Sequence, residues 1–142
     1  GRVYPTYLVH QLGFTPEEYF ARTFFTYSHD EAIRAVASGM ADGAAVDSLV
    51  YEFAVARDPD LAKKTKVIHR SPDFGIPPVV ISPLARPQVK SDLQSLLLEM
   101  ANDPDAQDAL ASIGVQSFVI IEDSAYDSVR ELINIIPIPN SP

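Results

Sequence analysis

Apolar residues recur every three or four positions along much of this chain, which is the spacing of one face of an α-helix. The clearest amphipathic pattern spans residues 87–101, where Leu93, Leu96 and Leu97 share one face. Glycines and capping residues then mark where helices begin and end. The pattern predicts helices over residues 2–12, 29–39, 49–57, 87–101, 104–114 and 122–136.

Short apolar runs lie between these helices and are typical of β-strands. They are bounded by Gly, Pro and small polar residues, which favour turns. The runs are "TFFTYS", "MADGAAVDS", "KVIHRS", "PPVVISP" and "VQSFVII". Because short strands alternate with helices, the sequence predicts an α/β architecture in which ligands bind where strands end and helices begin.

Composition narrows the class of protein. A chain of 142 residues with 46% hydrophobic and 21% charged residues is typical of one soluble globular domain with its own core. It has no apolar run long enough to span a membrane, and its first residues do not resemble a signal peptide, so we expect either a mature chain or a piece of a longer one. The net charge of −8, with scattered basic residues, argues against nucleic-acid binding. The absence of cysteine excludes disulfides and fits the cytoplasm or the periplasm equally.

The junction "TYSHDE" is the most informative local feature. Ser28 with Glu31 three residues later predicts a capping box, which makes His29 the first residue of a helix. Free backbone N–H groups, the positive end of the helix dipole and an imidazole would then share a small volume suited to an anion. Asp47 and Ser48 repeat this arrangement at the next helix. An ordinary capped helix start is the alternative interpretation of each junction.

Other chemistries fail on spacing. Ser28, His29 and Asp30 are consecutive, so their side chains cannot converge as a catalytic triad on a helix. The three histidines show no metal-binding spacing, and the glycines form no phosphate-binding loop. We therefore expect neither an enzyme nor a metal site or cofactor.

The order of motifs resembles a known family. The segments "GRVYPTYLVHQLG", "YSHDEAIRAVASGMADGAAVDS", "KVIHRSPDFGIPPVVIS" and "FVIIEDSAYDSVREL" resemble, in this order, the second half of the phosphonate- and phosphite-binding components of ABC transporters. The resemblance covers essentially the whole chain. Its most specific part is the Ser-His-Asp junction, which is followed eighteen residues after His29 by Asp47.

This resemblance implies a type II periplasmic binding fold. The chain would be the second of two lobes, an α/β three-layer sandwich, with the first lobe missing. The hydroxyl residues that this family places before a glycine would fall immediately before Gly1. Residues 1–78 would form the second lobe, and residues 79–136 a return segment with a helical hairpin and a last helix. Residues 137–142 would be a tail.

The resemblance also implies a function. The ligand would be a small phosphorus oxyanion, such as phosphonate, phosphite or phosphate, delivered in the periplasm to the membrane subunits of an ABC transporter. An alternative is a ligand-sensing domain fused to a signalling protein such as a sensor kinase. The exposed apolar face of the helix over 87–101 could also form a homodimer.

For His29 and Asp73 a binding role follows from the same resemblance, whereas Asp47 and Ser48 are candidates by their position at a helix start, and Tyr27 lines the cleft or is an ordinary core residue before the cap. His29 would donate a charge-assisted hydrogen bond to the oxyanion. Beside it, the Ser28 junction offers backbone N–H groups, and Tyr27 would line the cleft. Carboxylates would accept from a protonated ligand oxygen or an amine. The complete predicted set is Tyr27, Ser28, His29, Asp47, Ser48 and Asp73.

Overall fold

A computed structural model of the protein describes residues 1–136, so the predicted tail over 137–142 lies outside the described residues. The chain forms two compact units. One comprises Gly1–Phe74 together with the C-terminal segment from Tyr126, and the other comprises Gly75–Ala125. The helices are α1 (Val3–Gln11), α2 (Pro16–Tyr19), α3 (His29–Ala37), α4 (Ser48–Arg57), α5 (Pro59–Lys64), α6 (Pro87–Glu99), α7 (Gln107–Ser112) and α8 (Asp127–Ile135). Short 3-10 turns occupy Met100–Asn102, Pro104–Ala106 and Asp123–Tyr126.

Local signals account for where these helices begin and end. Ser28 is the N-cap of α3, as predicted, and its side chain accepts from the backbone N–H of Glu31. The reciprocal half of the capping box is absent, because the Glu31 carboxylate pairs with Arg34 on the next turn. Past the end of α3, Gly39 adopts a φ of +76°, a conformation that glycine reaches without a steric penalty.

The first unit packs its helices around a small core. Helix α1 contacts α2 and α8, while α3, α4 and α5 contact one another. The buried side chains of this unit are Val9, Ile33, Ala35 and Ile136. The beginnings of α1, α3 and α4 belong to one unit, although α1 makes no helix–helix contact with α3 or α4 among the described residues.

The second unit contains α6, α7 and the two 3-10 turns between them. Leu110 is its one fully buried large side chain within residues 1–136. On α6, Leu93 and Leu96 are exposed while Leu97 is half-buried, so the apolar face of this helix is only partly covered. Among the described residues, no helix has the length and apolarity needed to cross a lipid bilayer.

The prediction of an α/β three-layer sandwich is wrong. Residues 1–136 contain no β-strand, and the five runs predicted as strands lack regular secondary structure apart from residues at helix ends. Many of their large apolar side chains are exposed, including Phe25, Ile68, Val80 and Val119. The layers of a sandwich are therefore not formed.

The physical reason is that a strand needs a neighbour. Apolar, β-branched residues favour a strand only when it pairs along its backbone and packs one face, so strand propensity depends on context. The run over 77–83 also begins and ends with proline, which cannot donate to a ladder. An α-helix forms its backbone hydrogen bonds within one segment, so the helix predictions did not depend on a neighbouring segment.

Candidate functional site

The histidine at the start of α3 contacts the residue that begins α4. The Asp47 backbone N–H donates to Nδ1 of His29, with an N···N distance of 3.4 Å across eighteen residues of sequence. Because a backbone N–H can only donate, Nδ1 is the acceptor, and the neutral ring carries its hydrogen on Nε2. His29 is half-buried, and this contact leaves its Nε2–H as a donor with no partner among residues 1–136.

Asp47 is also the N-cap of α4, as predicted. Its Oδ1 accepts from the backbone N–H groups of Leu49 at 2.8 Å and Val50 at 3.3 Å. Its Oδ2 makes no hydrogen bond within the described part of the chain. The carboxylate thus caps the helix with one oxygen and leaves the other without a hydrogen bond among residues 1–136.

The start of α1 lies at the same place. A Cβ atom on Gly1 would lie 3.1 Å from the Ala45 carbonyl oxygen and 4.0 Å from Cε1 of His29. Helix α1 has no acidic residue in its first turn, and its N-cap residue Arg2 makes no capping side-chain bond. The N-terminal ends of α1, α3 and α4 therefore converge on His29, and each contributes the positive end of a helix dipole.

Tyr27 precedes this junction in an unusual backbone conformation. Its φ of +56° makes it the one non-glycine residue with positive φ in residues 1–136. Such a conformation is uncommon for a bulky residue and is enriched at functional sites. The Tyr27 side chain is 92% exposed, and its ring contacts Phe25 with centroids 6.1 Å apart.

The two predicted serines differ in what they offer. The Ser28 hydroxyl accepts from the Glu31 backbone N–H, so its oxygen serves the helix cap. Ser48 is exposed as the first residue of α4, next to the His29–Asp47 contact. Ser28 directly precedes His29 in the chain, and Ser48 directly follows Asp47, whose backbone N–H contacts His29.

Asp73 is connected to the start of α1 only through residues near it in the chain. It is exposed and forms no hydrogen bond or ion pair among the described residues. The residues that flank it are fixed to the first turn of α1, since Tyr4 Oη lies 3.1 Å from Nε2 of His69 and the Phe74 ring meets the Tyr4 ring edge-on at 5.7 Å. The structure brings His29 and Asp47 into direct contact but shows no contact of either with Asp73.

Other parts of the described chain offer less. A shallow hollow of about 340 Å³ runs along α3. It excludes every predicted binding residue and is lined by Thr26, Glu31, Arg34, Ala35, Ser38 and Met40, with Arg34 and Glu31 already paired at 2.8 Å. Within residues 1–136, no three His, Asp or Glu side chains are grouped to hold a metal ion.

Sequence reasoning missed Arg2 and Phe25. The Arg2 guanidinium carbon lies 5.5 Å from the Phe25 ring centroid, which places both residues beside the start of α1. No local sequence signal pairs residues twenty-three positions apart. The one sequence feature that singled out Arg2 was its position at the start of a helix, because a cation there opposes the helix dipole.

A small oxyanion fits a site with three helix N-terminal ends, an imidazole N–H donor and a carboxylate oxygen that makes no other hydrogen bond. Binding such an anion is typical of a substrate-binding protein. A family model described as "ABC transporter, phosphonate, periplasmic substrate-binding protein" matches residues 1–126. Because the match covers most of the chain, the protein belongs to this family of phosphonate-binding proteins, and the resemblance read from the sequence is confirmed. No curated protein sequence matches the chain significantly.

Proposed function

We propose that this protein binds a small phosphorus oxyanion at the junction of α1, α3 and α4, and that it performs no chemical step on it. The observation that carries this proposal is the convergence of three helix N-termini on the oriented ring of His29. Membership of a phosphonate-binding family supports the ligand class. Phosphite and phosphate share its tetrahedral, multiply oxygenated shape, and we include them in the proposal.

Each predicted residue has a proposed role. His29 donates from Nε2 to a ligand oxygen, because its Nδ1 is already engaged by Asp47 N–H. Asp47 accepts through Oδ2, which favours a ligand that still carries a proton on oxygen. Tyr27 and Ser48 border the bound anion. Asp73 is a second acceptor, carried by the segment that packs on Tyr4.

The setting of this function follows from the family. We propose that the protein acts in the periplasm or another extracytoplasmic compartment and delivers its ligand to the membrane subunits of an ABC transporter, in line with the family description. The division into a lobe over 1–78 and a return segment over 79–136 is part of the same proposal. A homodimer through the exposed face of α6 remains a prediction.

The test is calorimetric titration of the full-length protein that carries this chain with methylphosphonate, phosphite and phosphate. His29→Ala should weaken binding by about ten- to a hundred-fold, because a hydrogen bond to a charged group contributes about 1.5–3 kcal/mol. His10→Ala is the matched control. His10 is exposed in the last turn of α1 and makes no side-chain bond among the described residues.

Two outcomes would contradict the proposal at different levels. If wild-type protein binds none of the three ligands at millimolar concentration, the oxyanion-binding function is wrong. If it binds a ligand but His29→Ala binds equally well, the function stands and the site lies elsewhere.

A further inference from the structure

Arg2 stands where a cation is electrostatically unfavourable. It is the N-cap residue of α1, beside the positive end of the helix dipole, and the first turn of α1 has no acidic residue. Within the described residues Arg2 has no carboxylate partner, although the chain has 19 acidic and only 11 basic residues. Binding of an anion would stabilise a cation that is held there without a counter-charge.

An aromatic ring, and not an acid, holds Arg2 in place. Its guanidinium carbon lies 5.5 Å from the Phe25 ring centroid, within the range of a cation–π contact. Arg2 is half-buried. Its guanidinium makes no hydrogen bond or ion pair among residues 1–136, so its N–H donors are not used by the protein there. Phe25 therefore orients the arginine without occupying its hydrogen-bond donors.

The contacts of Arg2 lead back to His29 from both sides. Phe25 contacts Tyr27, which is two residues before His29. In the other direction, Gly1 adjoins Arg2 and lies next to Cε1 of His29. Arg2 is thus linked to His29 through Gly1 on one side and through Phe25 and Tyr27 on the other, at the N-terminal ends of α1 and α3.

We propose that Arg2 is a ligand-binding residue that donates guanidinium hydrogen bonds to the oxyanion, and that Phe25 is the residue that positions it. This inference rests on the proposed function. The planar fork of a guanidinium matches two oxygens of one anion, so the ligand class is an oxyanion that presents two oxygens to Arg2 while a third faces His29. Tetrahedral phosphonate and phosphate meet that requirement.

Titration of the full-length protein with methylphosphonate and with phosphate tests the role of Arg2. Arg2→Gln should weaken binding of both by about ten- to a hundred-fold, as for loss of a charged hydrogen-bond donor. Arg2→Lys, which keeps the charge and loses the fork, should fall between Arg2→Gln and wild type. The matched control is Arg57→Gln, because Arg57 stacks on Phe53 at 5.4 Å at the far end of α4. It should change affinity by no more than about twofold.

The role of Phe25 is tested by a double-mutant cycle. Phe25→Leu should weaken binding when Arg2 is present and should have no further effect in the Arg2→Gln background, since its role acts through the arginine. A merely structural role would produce the same loss in both backgrounds and would overturn the positioning role. Circular dichroism of every variant checks that the helices are retained.

The outcomes separate this inference from the function on which it rests. If Arg2→Gln binds as tightly as wild type while His29→Ala does not, Arg2 is not a ligand residue and the proposed function survives. If wild-type protein binds neither probe, both are overturned. Loss of binding in Arg2→Gln with normal binding in Arg57→Gln supports the inference.

Discussion

Replacing Asp47 tests both the stability of α4 and the construction of the site. The Asp47 carboxylate accepts from two backbone N–H groups, at 2.8 and 3.3 Å. Removing an N-cap side chain costs about 1 kcal/mol, and removing a negative charge from a helix N-terminus adds about 0.3–1 kcal/mol. Asp47→Ala should therefore lower the free energy of unfolding by about 1.3–2 kcal/mol. Asp47→Asn keeps a capping oxygen and loses only the charge, so it should cost about 0.5 kcal/mol.

The assay is urea unfolding followed by far-ultraviolet circular dichroism. Asp42→Ala is the control, because Asp42 is exposed, lies outside every helix and makes no hydrogen bond within residues 1–136. It should change stability by less than about 0.5 kcal/mol. If Asp47→Ala unfolds at the same urea concentration as wild type, the two N–H contacts contribute nothing measurable and the capping argument is wrong.

Ligand binding by the same variants distinguishes the two interpretations of Asp47. If Oδ2 accepts from a protonated ligand, Asp47→Asn should weaken binding although its stability is nearly normal. If Asp47 only caps α4, Asp47→Asn should bind like wild type. In that case Asp47→Ala should still bind more weakly, since fraying of α4 removes the N–H that orients His29.

The remaining predictions concern helix ends elsewhere in the first unit. Ser28→Ala should lower the free energy of unfolding by about 1 kcal/mol, measured in urea, whereas Ser28→Asn should retain most of the cap; equal stability of Ser28→Ala and wild type would contradict the capping role. Hydrogen bonds from the backbone N–H and hydroxyl of Thr15 hold the pKa of Glu18 below its ordinary value. The charged form is therefore favoured by folding, so its stabilisation is present above the ordinary glutamate range and is lost as the pH falls toward the lowered pKa. The stability difference between wild type and Glu18→Gln should accordingly shrink on acidification, and a difference that is constant with pH would contradict this cause.

Helix ends were predictable because their causes are local. Thr15, Ser28 and Asp47 cap helices by accepting from backbone N–H groups two or three positions away. Just past the end of α3, Gly39 adopts the left-handed conformation that ends the helix. The order of these local signals along the chain also sufficed to indicate the family. None of these inferences required knowing which distant residues meet.

Contacts between distant residues were settled only by the tertiary structure. The apolar runs looked like strands, but a strand exists only where another segment pairs with it, and residues 1–136 supply no such pairing. The same holds for the candidate site. His29 and Asp47 were both predicted, yet the hydrogen bond that fixes the imidazole tautomer depends on how α3 and α4 pack. Arg2 and Phe25 carried no joint signal, because the energy of a cation–π contact depends on proximity in space and leaves no periodic pattern in the chain.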